Sequence, residues 1–252
     1  MENIETPELP RRQFDEMLGK HAEQKQELEN KQAEEKRALI DEAHEKALDD
    51  NKRLEDLRQE MVSITGERVE ENSLEQLKQE WQKFYQETFN IETNFSQISV
   101  PEKQEGFERL LILAMGMKAQ QLFDKCRELF PTWKYTEKDL DVTSDRNADE
   151  GAYAIWVREV QEADEQLKNL SANDIKEKNI TTETLEERLL DEIKYFKQMG
   201  KHLDVENVTL CAGSHDSDGD VPHVHFRGDK MHVNRRGSDY YFDFLRARQA
   251  VS

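Results

Sequence analysis

Between His223 and Asn234 polar and apolar residues alternate without a break, and the alternation mirrors itself about Gly228-Asp229. A period of two is the pattern of a strand with one buried face. Gly228-Asp229 suits a two-residue hairpin loop, because glycine accepts the positive φ that such turns need. The pairing then follows by counting. Arg227 faces Lys230, Phe226 faces Met231, His225 faces His232, Val224 faces Val233, and His223 faces Asn234. One side carries Val224, Phe226, Met231 and Val233, all apolar. The other carries His223, His225, Arg227, Lys230, His232 and Asn234. A slip of one residue would turn every apolar side chain to the wrong face, so the register is strongly specified.

The charge of the chain is distributed to match. The formal net charge is -19, from 36 Lys+Arg against 55 Asp+Glu. No glutamate follows Glu206. Beyond it, six aspartates balance six basic residues, and four of the 7 histidines lie there. The acidity therefore belongs to residues 1–206, and the change of chemistry marks a change of architecture. An acidic balance argues against generic nucleic-acid binding, which needs a basic surface. No apolar run approaches the roughly 20 residues of a membrane helix. The N-terminal residues contain no apolar signal core, so a cytoplasmic location is the expectation. Cys126 and Cys211 are too few for a disulfide framework and read as buried thiols in a reducing compartment.

Residues 11–65 read as helix: Ala, Glu, Lys, Gln and Leu dominate, with no proline. Leu54, Leu57, Met61 and Ile64 form one short seam, and Gly66 interrupts it. Ser73 with Gln76 matches a capping box, followed by a second seam of Leu74, Leu77, Trp81 and Phe84. Two readings stay open for residues 1–72: a coiled coil that forms homo-oligomers, or a solvated helix docked on its own domain. The spacing of Phe107, Leu110, Leu111, Ala114, Leu122, Cys126 and Leu129 predicts an amphipathic helix over 104–130, ended by Pro131. Trp133 and Tyr135 alternate with polar residues as in a strand. Tyr153, Trp156, Val157 and Val160 predict a helix over 148–170. A further helix starts near Thr182 or Thr184, carries Leu185, Leu189, Leu190, Ile193, Phe196 and Met199, and stops at Gly200.

Residues 235–244, Arg-Arg-Gly-Ser-Asp-Tyr-Tyr-Phe-Asp-Phe, have the composition of a binding loop. Tyr supplies large area at low entropic cost, and small polar residues adapt their hydrogen bonds. Leu245 to Ser252 reads as a last strand.

The run Thr209-Leu-Cys-Ala-Gly-Ser-His-Asp-Ser-Asp-Gly-Asp-Val-Pro222, then Gly228-Asp-Lys, then Leu245-Arg-Ala-Arg-Gln-Ala-Val-Ser252, resembles the end of bacterial variable proteins diversified by diversity-generating retroelements. Gly151-Ala-Tyr-Ala-Ile-Trp-Val-Arg158, Glu162-Ala-Asp-Glu-Gln-Leu-Lys-Asn-Leu-Ser-Ala-Asn173 and Gly200-Lys-His-Leu-Asp204 are similar to proteins carrying such ends. The resemblance spans residues 105–252 and implies an α+β chain. Residues 1–72 are then an acidic helical or coiled-coil arm, and 73–130 a helical region. Residues 131–252 are a C-type-lectin-like variable ligand-binding domain of helices and a small antiparallel sheet. Cys211-Ala-Gly-Ser214 stands where lectin-fold members often carry a Gly-Gly-Ser-Trp-like segment, here without the Trp.

The resemblance also implies a function: non-catalytic binding of a protein or surface ligand, with no cofactor. The implied variable face is His223, His225, Phe226, Arg227, His232, Asn234, Arg235, Arg236, Ser238, Asp239, Tyr240, Tyr241, Asp243 and Phe244. Adenine mutation of an Asn codon cannot yield Glu, Gln, Lys, Met or Trp, and none occurs among these residues. Lys230 and Met231 are then fixed positions. Glu and Lys are depleted in strands in any case.

Rival chemistries are weaker. Asp216-Ser-Asp-Gly-Asp220 fails the EF-hand pattern: Gly219 stands fourth instead of sixth, and Arg227 stands where a Glu is needed. A polar turn accounts for it. His223, His225 and His232 on one face are the residues for a catalytic zinc, but no Glu nearby can act as a base. Cys211 follows an apolar strand, where thiols are buried and inert. A phosphate-binding loop, a nucleophile elbow and a zinc-spaced cysteine pair are all absent. The other non-enzymatic reading is a coiled-coil scaffold.

Overall fold

Ser73 opens the first helix, α1 (Leu74–Phe89), and the expected capping box is formed: Gln76 N–H donates to the serine hydroxyl, and the Gln76 side chain accepts from Ser73 N–H at 2.8 Å. The computed structural model of the chain describes residues 73–252 and Lys31. The arm expected over residues 1–72, with its Leu54–Ile64 seam, lies outside the described residues apart from Lys31, which is helical.

The helix expected over 104–130 is instead a strand, a turn and a shorter helix. These are β1 (Arg109–Leu113), a turn through Gly116 at φ 81°, and α2 (Ala119–Leu129). The five residues of β1 are all buried. A short run apolar on both faces has no period, so it fits helix or strand equally from sequence. α1 closes the edge of this strand. Trp81 Nε1 donates to Leu110 O at 3.0 Å, and Tyr85 OH donates to Ile112 O at 2.8 Å. These bonds satisfy edge carbonyls that would otherwise invite another strand.

The helix expected over 148–170 is also overturned. Residues Tyr153–Val157 form β4, the middle strand of a three-stranded sheet between β1 and β10 (Ala250–Val251). Its Tyr, Ile, Trp and Val fit a pleated, covered surface. Only a 3-10 turn, Glu165–Leu167, appears later in that stretch. Ser171 caps a short helix that was not expected, α3 (Ala172–Glu177). Of the two expected starts of the next helix, Thr184 is the one used: it caps α4 (Leu185–Met199) through a capping box with Glu187. Gly200, at φ 63°, ends α4 as expected and donates its N–H to Phe196 O.

The second sheet has five strands in the order β2, β8, β7, β5, β9. They are β2 (Thr132–Lys134), β5 (Val208–Leu210), β7 (Val221–Arg227), β8 (Lys230–Arg236) and β9 (Leu245–Arg246). β3 (Thr143–Ser144) and β6 (Ser214–His215) make a separate pair. The single last strand expected over 245–252 is split. β9 runs parallel to β5, whereas β10 (Ala250–Val251) runs antiparallel to β4, so the chain end joins two sheets.

The main core draws on α1, β1, α2, β4 and α4 and on the underside of the β7–β8 hairpin, so residues on both sides of Pro131 share it. A smaller cluster, Leu167, Ile175, Leu210, Val221, Leu245 and Ala247, covers part of the other side. The chain is thus an α+β protein with helices and mixed sheets.

Candidate functional site

All five pairs of the expected hairpin register are present, and the ladder continues to Val221 opposite Arg236. Gly228 has the positive φ the loop requires, 74°. Val224, Met231 and Val233 are sealed in the core. Local rules alone therefore aim this hairpin: a turn that closes only one way, and an alternation that buries only one face.

The opposite face carries a row of flat rings. His225 and His232 stack with centroids 5.0 Å apart and planes 8° from parallel. His223 continues the row at 6.2 Å from His225, and Trp133 extends it at 5.7 Å from His232. Trp133 is placed there by β2, which pairs in parallel with β8 so that Trp133 lies opposite His232. Nothing in the sequence identified it as a neighbour of the hairpin, because parallel partners are joined through distant chain. Burial, then the charges of His225 and Arg236, lower the His223 pKa to about 3. Burial, then His232 and Arg227, lower that of His225 to about 4. Both rings are neutral at pH 7 and carry no charge to the face there.

Two members of the sequence-predicted face lie elsewhere, and a third is buried in place. Phe226 shares the parity of Val224, so it belongs to the underside, where it stacks on His202 at 3.7 Å. His223 is on the expected side but only 5% exposed, being set beside Leu210 on β5. Arg235 shares the parity of Met231 and is clamped by the aspartate turn. Its Nη1 donates to Asp216 and, at 2.9 Å, to Asp218, and its guanidinium covers the Tyr135 ring. Burial works to raise the Asp216 pKa, but the hydrogen bond from Arg235 and those from backbone N–H groups outweigh it, so the carboxyl stays below its usual range. Asp216 Oδ1 accepts the N–H of Asp218 and of Asp220 at 2.9 and 3.0 Å, as a polar turn requires.

The remaining predicted residues gather at the surface. Arg227, Arg236, Asp239, Tyr240, Tyr241, Asp243 and Phe244 are exposed, while His225, His232, Asn234 and Ser238 are half-buried. Tyr240, Tyr241 and Phe244 are 44%, 65% and 61% exposed, and Arg236 lies over the Tyr240 ring. Their loop is tied down on either side of the exposed rings. Asn173 N–H donates to Ser238 O at 3.0 Å, and Val208 N–H donates to Phe244 O at 2.9 Å.

No family model, no curated protein and no solved structure matches this chain.

Neither cysteine offers a nucleophile. Cys126 and Cys211 are sealed, and burial pushes both thiols well above their usual pKa. Among the described residues no group of three or more His, Cys, Asp or Glu side chains stands placed around a common metal position. A cleft of about 570 Å³ that includes Arg146 and Tyr153 contains none of the predicted face residues. Among the described residues no helix is long and apolar enough to cross a membrane.

Proposed function

We propose that this protein is a non-catalytic binder that presents a polar-aromatic surface, built from the upper side of the β7–β8 hairpin and the 237–244 loop, to a protein or surface ligand. One observation carries the reading: three large aromatic rings, Tyr240, Tyr241 and Phe244, face solvent on a loop whose backbone is anchored at Ser238 and Phe244. Exposed aromatics on an ordered loop lose little freedom when they dock, so less affinity is spent on ordering. The underside of the hairpin is packed into the main core, so the upper side can change without loosening the support.

The same reading assigns residues 131–252 a C-type-lectin-like fold diversified by a retroelement. It is supported by the end strand β10 returning to pair with β4, and by the fixed positions expected at Lys230 and Met231, of which Met231 points into the core. The test is to sequence the encoding locus. A near-identical repeat downstream, differing from the codons of the predicted face only at adenines and lying beside a reverse transcriptase gene, is the expected result. A locus with neither would overturn the retroelement assignment.

A further inference from the structure

His223, His225 and His232 are the three imidazoles of the ring row, and among the described residues none of the three rings has a hydrogen-bond partner. Two of their nitrogens, Nδ1 of His223 and Nδ1 of His225, are buried without a partner. Buried polar atoms are nearly always paired, and each exception calls for a reason. Here two exceptions sit on adjacent rings of one sheet face, and the His223 ring is only 5% exposed. Both rings are thus left with a ligating nitrogen that no described residue satisfies.

The register supplies the geometry for it. His225 lies directly opposite His232, and His223 is two residues along the same strand, so all three rings rise from one side of the sheet. Directly paired positions stand about 4.5–5.5 Å apart at Cβ. His225 and His232 are such a pair, with ring centroids 5.0 Å apart, and the His223 ring lies 6.2 Å from His225, close enough for the three side chains, once turned, to reach one ion at the Zn–N distance of about 2.0–2.1 Å. In the structure the rings lie stacked, 8° and 17° from parallel, so their nitrogens do not yet converge. Convergence needs rotation of the rings about their side-chain bonds and no change of register. Two of the three, His225 and His232, are half-buried and have room at the surface to turn.

We propose that His223, His225 and His232 form a binding site for a divalent transition-metal ion, assembled by rotation of the three rings when the ion binds. The inference rests on the ring row alone and does not depend on the binding function proposed above. The chemistry of the donors selects the class of ion. Imidazole nitrogens favour Zn²⁺, Cu²⁺ and Ni²⁺, whereas Mg²⁺ and Ca²⁺ need oxygen ligands. Burial keeps the His223 and His225 rings unprotonated at pH 7, as a ligand must be. Leu210 beside His223 gives the inner wall an apolar surface. The Arg227 and Arg236 charges nearby weaken the attraction for a cation, so a tightly held structural ion is not expected.

The test is titration of the full chain with Zn²⁺ by calorimetry. The expected result is a site of one ion per chain with micromolar affinity, and no heat from Ca²⁺ or Mg²⁺ beyond dilution. His225→Ala should weaken Zn²⁺ binding by at least tenfold, and His202→Ala should leave this site unchanged. Circular dichroism and thermal melting establish that each variant is folded. A second measurement uses the unaltered protein. One equivalent of Zn²⁺ should protect His225 and His232 from carbethoxylation by diethyl pyrocarbonate, read by mass spectrometry, while exposed His215 stays reactive. No Zn²⁺ binding in the micromolar range, or binding that neither depends on His225 nor protects His225 and His232, would overturn the proposal.

Discussion

Arg248 Nη2 donates to Asp204 Oδ1 at 2.7 Å, and both side chains are sealed from solvent. The same carboxylate receives Arg188 from α4 and the Thr209 hydroxyl from β5, and Asp204 O accepts the N–H of Phe226 on the hairpin. One residue therefore ties the chain end, the longest core helix of the second half and the display hairpin together.

Removing that charge should be costly. Burial alone would raise the Asp204 pKa, but Arg248 and Arg188 outweigh it and hold the carboxyl below its usual range. Asp204→Asn leaves two buried guanidinium groups without their shared anion, a loss of about 3–5 kcal/mol. Urea unfolding at pH 7 should show it as a lower midpoint with an unchanged slope.

The two sides of the hairpin should respond differently to truncation. Met231 is fully buried, so Met231→Ala should destabilise by about 2–5 kcal/mol. Tyr241 is largely exposed, and Tyr241→Ser should stay within about 0.5 kcal/mol of the starting stability. Thermal melts of the two variants beside the unaltered chain would check the contrast.

The ring row predicts acid sensitivity. His223 and His225 are held at about 3 and about 4 in the folded protein, below the ordinary 6.5. Below pH 6.5 the unfolded chain gains protons that the folded chain refuses, so this contribution to stability is present above pH 6.5 and falls away toward pH 4. His223→Phe should therefore lose less stability over that interval than the unaltered chain. Urea midpoints measured at a series of pH values would show whether the two curves converge.

Glu183 makes the opposite pH prediction. It is fully buried, and among the described residues neither carboxylate oxygen has a hydrogen-bond partner. Burial, with Asp191 next, pushes its pKa well above the ordinary 4.5. Because the folded-state value is raised, the folded protein binds protons above pH 4.5 more readily than the unfolded chain, so stability declines as pH rises above 4.5. Glu183→Gln removes that penalty. It should raise the unfolding midpoint at pH 7 and do so by less near pH 4.5.

The hairpin register, the capping box at Ser73, a helix start near Thr182 or Thr184 and the stop at Gly200 were legible in the chain because each is decided by neighbours in sequence. A two-residue turn fixes which residues face each other, and a cap is a bond between residues three apart. The aromatic loop was legible through composition alone. The strands Arg109–Leu113 and Tyr153–Val157 were not, because a segment covered on both faces has no polar side to betray its period. Their identity depends on pairing with each other and with Ala250–Val251, residues nearly 100 positions further on. Trp133 reached the ring row, Arg235 was withdrawn from the displayed side and the end of the chain divided between two sheets for a related reason. Each outcome is set by partners that only long-range packing brings close, and alternation within a strand carries no record of which strand will lie beside it.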